Sequence, residues 1–367
     1  MDDKNATTVM DTLNELSEIL HPIKAHPGPH PHHSRKEIAR RELAARERHL
    51  QARTCSADIA AFNAKRRAKR ALAKRQESPA SASSTSSAAS PHYTELQNTT
   101  CILAPEVTEG PYYINNELVR QNLVEDQAGV KLVLDIGIMD VTTCTPIEDA
   151  FVEIWAANAT GVYAGYAATL SGPLPGDGSS SGDGSSSSMA APPSGSGAPD
   201  GGAPGGGGGG MQSNPLERNE TFGRGGYPTG PGGIVELTTI YPGFYAGRTA
   251  HIHTMIHTNY SISENGTLVS HAGNILHVGQ FFFDETWNDK VYAVEPYTTN
   301  TNERTYNDAD SILDEENEDG NNAYLDLELL GDSVEDGILG YITVGVNSTS
   351  RYSITNTNYL NSTGVDA

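Results

Sequence analysis

Apolar side chains alternate with other residues in several short segments of the chain after residue 95. The alternating positions are Leu132, Leu134, Ile136 and Ile138; Val152 and Ile154; Val235 and Leu237; Leu325, Leu327 and Leu329; and Ile342, Val344 and Val346. A period of two is typical of strands with one buried face, and Gly, Pro, Asn and Asp separate these segments as turn residues do. Because helical periodicity is almost absent in this part, the sequence predicts an all-β domain over residues 96–367, an antiparallel β-sandwich or barrel.

A second kind of segment precedes this domain. Residues 35–75 are rich in Ala, Arg and Glu with weakly amphipathic spacing, which predicts one or two charged helices. They end in dibasic pairs at 69–70 and 74–75, before a Ser/Ala-rich linker. We interpret residues 1–95 as a basic helical pro-segment with its linker; a patch for nuclear localisation or an anionic partner, or simply a solvated helix, are the alternatives.

A Gly/Ser-rich stretch interrupts the predicted sandwich. Residues 171–210 consist almost entirely of Gly, Ser, Pro, Ala and Asp. Such a composition buries too little apolar surface to offset the entropy of ordering the chain. The sequence therefore predicts a disordered surface insertion within one domain.

Charge is distributed unevenly along the 367 residues. The first 95 carry 16 lysines and arginines against 11 aspartates and glutamates, whereas the remainder carries 8 against 35. An acidic domain of this kind repels phosphate backbones and anionic lipid surfaces, so nucleic acid and membranes are excluded as its partners. No stretch approaches the roughly 18–20 apolar residues of a membrane-spanning helix.

Cysteines and glycosylation motifs favour a secreted protein. Of the three cysteines, Cys101 and Cys144 flank the first strand-like region, and we expect a disulfide between them, which leaves Cys55 over. Asn-x-Ser/Thr motifs occur at Asn5, Asn98, Asn158, Asn219, Asn259, Asn265, Asn347 and Asn361. Asparagine- and threonine-rich loops also generate such motifs without any sugar. Against secretion, the first 26 residues show no apolar region of the kind that a signal peptide requires.

The candidate chemistry is concentrated in the stretch TTIYPGFYAGRTAHIHTM, residues 238–255. On a strand, His251, His253 and Met255 would share one face, so two imidazoles could ligate one metal ion. Two histidines at this spacing alone leave iron, zinc and copper open, and they also occur by chance on exposed strands. The preceding Pro- and Gly-containing turn would bring Tyr245 back toward the same strand.

Tyrosines change which metal is expected. A phenol has a pKa of about 10 in solution and becomes a ligand near neutral pH mainly when a strongly charged cation displaces its proton. A second phenol, Tyr163, follows the strand-like segment VEIW and a Gly-containing turn. Two phenolates would cancel two of the three charges of Fe(III) and leave a site for a dianionic ligand such as a doubly deprotonated catechol.

Four motifs in order resemble the intradiol ring-cleavage dioxygenases, most of all their fungal extracellular members. They are TEGPYY, VEIWAANATGVY, PGFYAGRTAHIH and HVGQFFF, and the resemblance covers residues 98 to about 350 apart from the insertion. It implies a β-sandwich with one non-haem Fe(III), cleaving a catechol between its two hydroxyl-bearing carbons with O2 to a muconic acid type product. Plant- or lignin-derived phenols are the expected substrates; the sequence leaves the oligomeric state open.

The resemblance also implies a role for individual residues. Tyr163, Tyr245, His251 and His253 match the four iron ligands, and Tyr245 is the one that would leave the metal and take a proton when substrate binds. Arg248 matches an arginine that stabilises the electron-rich ring, and Gln280 a glutamine near that ring. Gly110 and Pro111 match a turn that lines the substrate pocket. The spacer between Tyr245 and Arg248 is shorter than in the bacterial enzymes.

Less specific interpretations accompany these assignments. His257, His271 and His277 are expected to be structural or at the surface, because the family site needs two histidines. Trp155 and residues 281–283 are expected in the core. Two other functions remain open: a non-catalytic secreted sandwich that binds an aromatic or polysaccharide partner, and a zinc or copper hydrolase or oxygenase, for which no third ligand stands at a recognisable spacing.

Overall fold

The computed structural model describes residues 54–76, 108–167, 215–317 and 321–360, with side chains up to residue 66 in the first range. Residues 35–53 of the predicted helical segment, the insertion at 171–210 and Cys101 lie outside these residues. The domain boundary at residue 95 and cleavage at the dibasic pairs therefore stay predictions.

Within these ranges the chain forms nine strands and three α-helices. The strands are β1 (Lys131–Asp140), β2 (Thr145–Pro146), β3 (Phe151–Trp155), β4 (Arg224–Pro228), β5 (Ile234–Ile240), β6 (His251–Thr258), β7 (Asn274–Phe282), β8 (Asp326–Leu329) and β9 (Ile338–Val346). The helices are α1 (Ser56–Gln76), α2 (Glu285–Tyr292) and α3 (Ser311–Glu316).

The strands form two sheets, which confirms the predicted all-β sandwich. One sheet has the order β4-β3-β6-β7 and is antiparallel throughout. In the other, of order β2-β1-β9-β8, β1 also pairs with β5 along the edge that carries β2. This second sheet is mixed rather than antiparallel, because β1 and β9 run parallel over nearly their whole length.

The core takes one face from each sheet. Leu132, Leu134, Ile136 and Ile138 of β1 pack in one buried cluster with Val152 and Ile154 of β3, Ile252 and Ile256 of β6, and Ile342, Val344 and Val346 of β9. The alternation seen in the sequence thus predicts the buried faces correctly at these positions. Leu329 is different: it stands at the end of the short strand β8 and is 41% exposed.

Helix α1 covers the other face of β1, where Ile59 packs with Met139 and Val141. The predicted Cys101–Cys144 disulfide is wrong: Cys144, in the turn between β1 and β2, is bonded to Cys55, 89 residues earlier. The pairing follows from the docking of α1, which places its start beside the end of β1. No helix in the described ranges is long and apolar enough to cross a bilayer.

Candidate metal centre

A row of four side chains crosses the antiparallel sheet from edge to edge. Arg224 of β4 lies opposite Trp155 of β3, Trp155 opposite His253 of β6, and His253 opposite Gln280 of β7. Directly paired residues of neighbouring strands point to the same face. The sheet thus brings together four polar or aromatic residues that lie up to 125 positions apart in the chain.

Strand β6 presents both candidate histidines on this face. His251 and His253 are each 2% exposed, and their ring centroids lie 4.9 Å apart. Ile252 between them points into the main core. The pattern H-I-H therefore places one apolar residue in the sandwich and two imidazoles outside it, as the strand periodicity predicts.

Tyr163 comes from the loop after β3, which is shaped by its own polar groups. The Asn158 side chain accepts hydrogen bonds from the backbone N–H groups of Thr160 and Val162, at 3.1 and 3.0 Å. Gly161 adopts a φ of 81°, and a Cβ there would lie 2.1 Å from the backbone oxygen of Phe244. Glycine thus permits close contact with the neighbouring loop, which carries Tyr245.

The two phenols converge on one imidazole nitrogen. The hydroxyl oxygens of Tyr163 and Tyr245 each lie 3.2 Å from Nε2 of His251. Tyr245 reaches this point through a tight turn in which Arg248 N–H donates to its carbonyl, at 3.3 Å. The structure therefore brings together all four residues predicted as metal ligands. The ring centroids of Tyr163 and His253 lie 6.1 Å apart.

The two histidines are oriented in different ways. Nδ1 of His251 lies 2.7 Å from the carbonyl oxygen of Thr249, so this nitrogen carries the proton and leaves a lone pair on Nε2 facing the phenols. His253 instead stacks flat on Trp155, with centroids 4.9 Å apart and ring planes 6° apart. Its Nδ1 is buried and has no hydrogen-bond partner among the described residues.

Burial favours the neutral form of all four groups. It raises the pKa of Tyr163 well above the ordinary value, with a further rise from Tyr245 and an opposing effect of Arg248. Burial likewise raises the pKa of Tyr245. Burial and, to a smaller extent, the Arg248 charge lower the pKa of His251, and burial also lowers that of His253. The imidazoles are thus uncharged donors, and only a strongly charged cation would deprotonate the phenols.

This donor set fits ferric iron. Two uncharged imidazoles and two phenols in a buried site supply hard oxygen and borderline nitrogen donors, a combination suited to Fe(III). No group of three or more His, Cys, Asp or Glu side chains able to hold a metal occurs in the described part of the chain. The tyrosines are therefore what completes a four-donor set here.

Arg248 is fixed beside the centre by two partners. Its Nε donates to Oδ2 of Asp310 at 2.8 Å, and one terminal nitrogen donates to Oε1 of Gln280 at 2.6 Å. Burial by itself lowers the pKa of Arg248, but Asp310 and Tyr245 raise it above the ordinary value overall. Arg248 is thus permanently positively charged. Its hydrogen bond to Gln280 fixes the two side chains relative to each other.

Gly110, in the turn predicted to line the substrate pocket, lies against the second histidine. Gly110 has a φ of 71°, and a Cβ at this position would be 3.0 Å from Cε1 of His253. Tyr112, which follows Pro111, stacks on Tyr163 with ring centroids 4.6 Å apart and ring planes 15° apart. The predicted Gly110 therefore contacts a candidate histidine ligand, and Tyr112, two residues later, contacts a candidate tyrosine ligand.

Three residues of this site were not predicted from the sequence: Asp310, Arg224 and Tyr112. Asp310 caps α3, where its side chain accepts from Ile312 and Leu313 N–H groups. An aspartate before a helix is a recognisable capping signal, but nothing local shows that its other oxygen binds Arg248. Arg224 donates to backbone carbonyls, which leave no trace in the sequence.

His257 and the aromatic residues near the site take structural positions, and His271 is exposed at the surface. Nε2 of His257 lies 2.7 Å from Oε2 of Glu153; His257 is fully buried, on the same face of β6 as His251 and His253. Phe281 and Phe283 belong to the main core, whereas Phe282 packs against Leu313 of α3. Trp155 is buried against His253 rather than between the sheets.

A separate open cleft of about 540 Å³ lies where β6 ends and β7 begins, beside the β1–β2 turn. It is lined by residues such as Asp140, Glu148, Asn259 and Arg351. None of the predicted site residues lines it, so we place the chemistry at the converging tyrosines and histidines and not in this cleft.

Solved structures with a similar fold are intradiol ring-cleavage dioxygenases. A dioxygenase crystal structure aligns with a TM-score of 0.50 at 27% identity, over 69% of this chain and 98% of that one. An intradiol ring-cleavage dioxygenase from Tetranychus urticae aligns at 0.47, with the same identity and coverage. Catechol 1,2-dioxygenase from Acinetobacter sp. ADP1 aligns at 0.36 and 16% identity, over 70% of this chain and 68% of that one. No protein-family model and no curated protein sequence matches the chain.

Proposed function

We propose that this chain is a secreted, Fe(III)-dependent intradiol dioxygenase that cleaves catechol-type rings. The observation that carries the proposal is the convergence of Tyr163 and Tyr245 hydroxyls, each 3.2 Å from His251 Nε2, with His253 alongside. The fold similarity to a dioxygenase at 27% identity supports the same reaction class. The fungal extracellular type, suggested by the sequence motifs and the glycosylation sites, is part of this proposal.

Tyr163, Tyr245, His251 and His253 would hold the iron. When bound, ferric iron acts as a Lewis acid that draws electron density from a chelated catechol and makes the ring reactive toward O2. The overall reaction breaks the carbon–carbon bond between the two hydroxyl-bearing carbons and places one atom of O2 on each, giving a dicarboxylic acid of the muconic type.

The chain's own residues bind the ring and move a proton. With iron bound, Tyr245 would be a phenolate, and its Oη would take a proton from a catechol hydroxyl because burial raises the pKa of this phenol and favours its protonated form. Arg248, held by Asp310, offers a fixed positive charge to the electron-rich ring. Gln280 accepts a hydrogen bond from the guanidinium of Arg248 and so helps to orient it, and the backbone at Gly110 lies against His253.

Spectroscopy and oxygen uptake test the proposal. Purified protein loaded with ferric iron should show a tyrosinate charge-transfer band in the visible, and anaerobic catechol should shift it. Oxygen uptake against catechol, protocatechuate, hydroxyquinol and caffeate, with mass detection of ring-opened products, identifies the substrate. Colourless protein with one zinc or copper per chain and no oxygen uptake would overturn the proposal and favour a non-catalytic sandwich.

A further inference from the structure

Arg224 is a fully buried arginine in the same sheet row as His253, and the reaction described above does not use it. Its Nε and one terminal nitrogen donate to the carbonyl oxygen of Ala164, at 3.1 and 2.8 Å. The same terminal nitrogen donates to the carbonyl of Tyr112 at 2.7 Å. One guanidinium thus holds two backbone carbonyls.

These carbonyls belong to the two loops that build the candidate site. Ala164 directly follows Tyr163, and Tyr112 directly follows the turn at Gly110 and Pro111. Neither of these two positions lies in a strand, so strand pairing does not hold the two carbonyls. The rings of Tyr112 and Tyr163 stack 4.6 Å apart, so a displacement of either carbonyl also displaces this ring pair.

Glu117, at the end of the loop that contains Tyr112, also binds the Arg224 guanidinium. Its Oε1 accepts from the remaining terminal nitrogen of Arg224 at 3.2 Å, and both side chains are 0% exposed. The planar guanidinium presents donors in three directions at once, which the ammonium of lysine cannot do with the same geometry. The guanidinium carbon also lies 6.0 Å from the Tyr163 ring centroid.

We propose that Arg224, oriented by Glu117, is a positioning residue. It fixes the loop of residues 109–118, which carries the predicted substrate turn, relative to the loop of residues 159–167, which carries the candidate iron ligand Tyr163. By holding the carbonyls of Tyr112 and Ala164, it sets where the Tyr163 oxygen stands against His251. The consequence for iron and substrate rests on the proposed function, whereas the coupling of the two loops does not.

Hydrogen exchange of the metal-free protein tests the coupling directly. Arg224→Lys and Arg224→Met should speed amide exchange about tenfold or more in peptides covering both 109–118 and 159–167, because buried hydrogen bonds from a charged group are lost. The matched controls are Arg66→Lys and Arg66→Met. Arg66 is also a buried arginine, but it pairs with Asp135 in the other sheet.

The controls should leave exchange in both loop peptides unchanged even where they lower the melting temperature. Faster exchange in only one loop, or in neither, overturns the proposal, as does an equal response in the Arg66 variants. If Arg224→Met does not fold, Arg224→Lys carries the experiment, since it keeps the charge and most of the volume.

The iron-loaded protein supplies a second readout. At full ferric occupancy, both Arg224 variants should shift the tyrosinate band and weaken anaerobic catechol binding about tenfold or more, while the Arg66 variants retain the parent band. An unchanged band and catechol affinity in the Arg224 variants would contradict the proposal. If the parent protein takes up no iron, the proposed function fails, and the exchange of the two loops still decides the role of Arg224.

Discussion

Asp310 binds Arg248 and the segment just before strand β6 through a single carboxylate oxygen. Oδ2 accepts from Nε of Arg248 and from the backbone N–H of Thr249, both at 2.8 Å. The other oxygen caps α3. One buried side chain therefore connects the cationic residue of the site, the strand that presents the histidines, and the helix packed beside them.

Replacing Asp310 by Asn should reduce catalysis more than iron binding. The amide keeps the size and one acceptor but removes the charge that holds Arg248, and breaking a buried ion pair typically costs about 3–5 kcal/mol of stability. We expect kcat/KM for the best catechol to fall roughly 10- to 100-fold, with iron content near that of the parent. Asp284→Asn, which alters the cap of α2, is the matched control. Equal losses of activity in both variants would contradict a specific role of Asp310.

Tyr245→Phe should change both the visible spectrum of the ferric-loaded protein and kcat. Loss of the hydroxyl removes one oxygen donor and the group that we expect to accept a substrate proton, so kcat should fall by about 10²-fold or more. The visible spectrum of ferric-loaded protein reports the donor directly. Tyr241→Phe is the control, because Tyr241 is also buried but donates to Asn288. A Tyr245→Phe protein with the parent spectrum would refute ligation by this phenol.

His253 and His257 lie on the same face of β6 and allow a paired test. We expect His253→Gln to lose most bound iron, measured as metal per chain after gel filtration with ferric iron. His257→Gln should retain the iron and lose stability instead, since it breaks the buried contact with Glu153. If the two variants lose iron equally, the metal is not held where the tyrosines converge.

The stability of the protein should fall as pH rises because of Glu117. Burial, opposed by Arg224, raises the pKa of this carboxyl from 4.5 to about 8. The folded state thus holds a proton that the unfolded state releases between these values, so the contribution of Glu117 is fully present below about pH 4.5 and is lost as pH rises to about 8. The slope from this group approaches 1.4 kcal/mol per pH unit.

Urea unfolding of parent and Glu117→Gln protein from pH 5 to 8.5 isolates this contribution. The variant stays neutral at that position, so its unfolding free energy should decline less steeply with pH than that of the parent. Parallel declines would show that the carboxyl is ionised throughout and paired as an ordinary salt bridge with Arg224.

The Cys55–Cys144 disulfide should stabilise the domain without affecting the candidate metal centre. Cys55→Ser should lower the free energy of unfolding by about 2–4 kcal/mol, since the bond closes a loop of 89 residues. Iron content and the visible band should stay unchanged. Cys101→Ser is the control and should match the parent; a loss of stability in that variant, with a Cys101–Cys144 peptide in mass spectrometry, would contradict the pairing.

The alternation of residues determined much of this molecule by itself. On a strand, neighbouring side chains point to opposite faces, so Ile252 had to separate His251 from His253 and the apolar rows of β1 and β9 had to face a core. Tyr163 is assigned as a donor through the family resemblance, whereas Tyr245, His251 and His253 stand together around one Pro- and Gly-containing turn. The alternation and this grouping are local properties, fixed within a few residues.

Only the tertiary structure decided which distant groups meet. Asp310 lies 62 residues after Arg248, Arg224 lies 60 after Ala164, and Cys55 lies 89 before Cys144. The parallel pairing of β1 with β9 belongs to the same class. No local pattern encodes such contacts, because they arise when whole sheets, loops and helix α1 pack together, and backbone carbonyls such as that of Ala164 are present at every position of the chain.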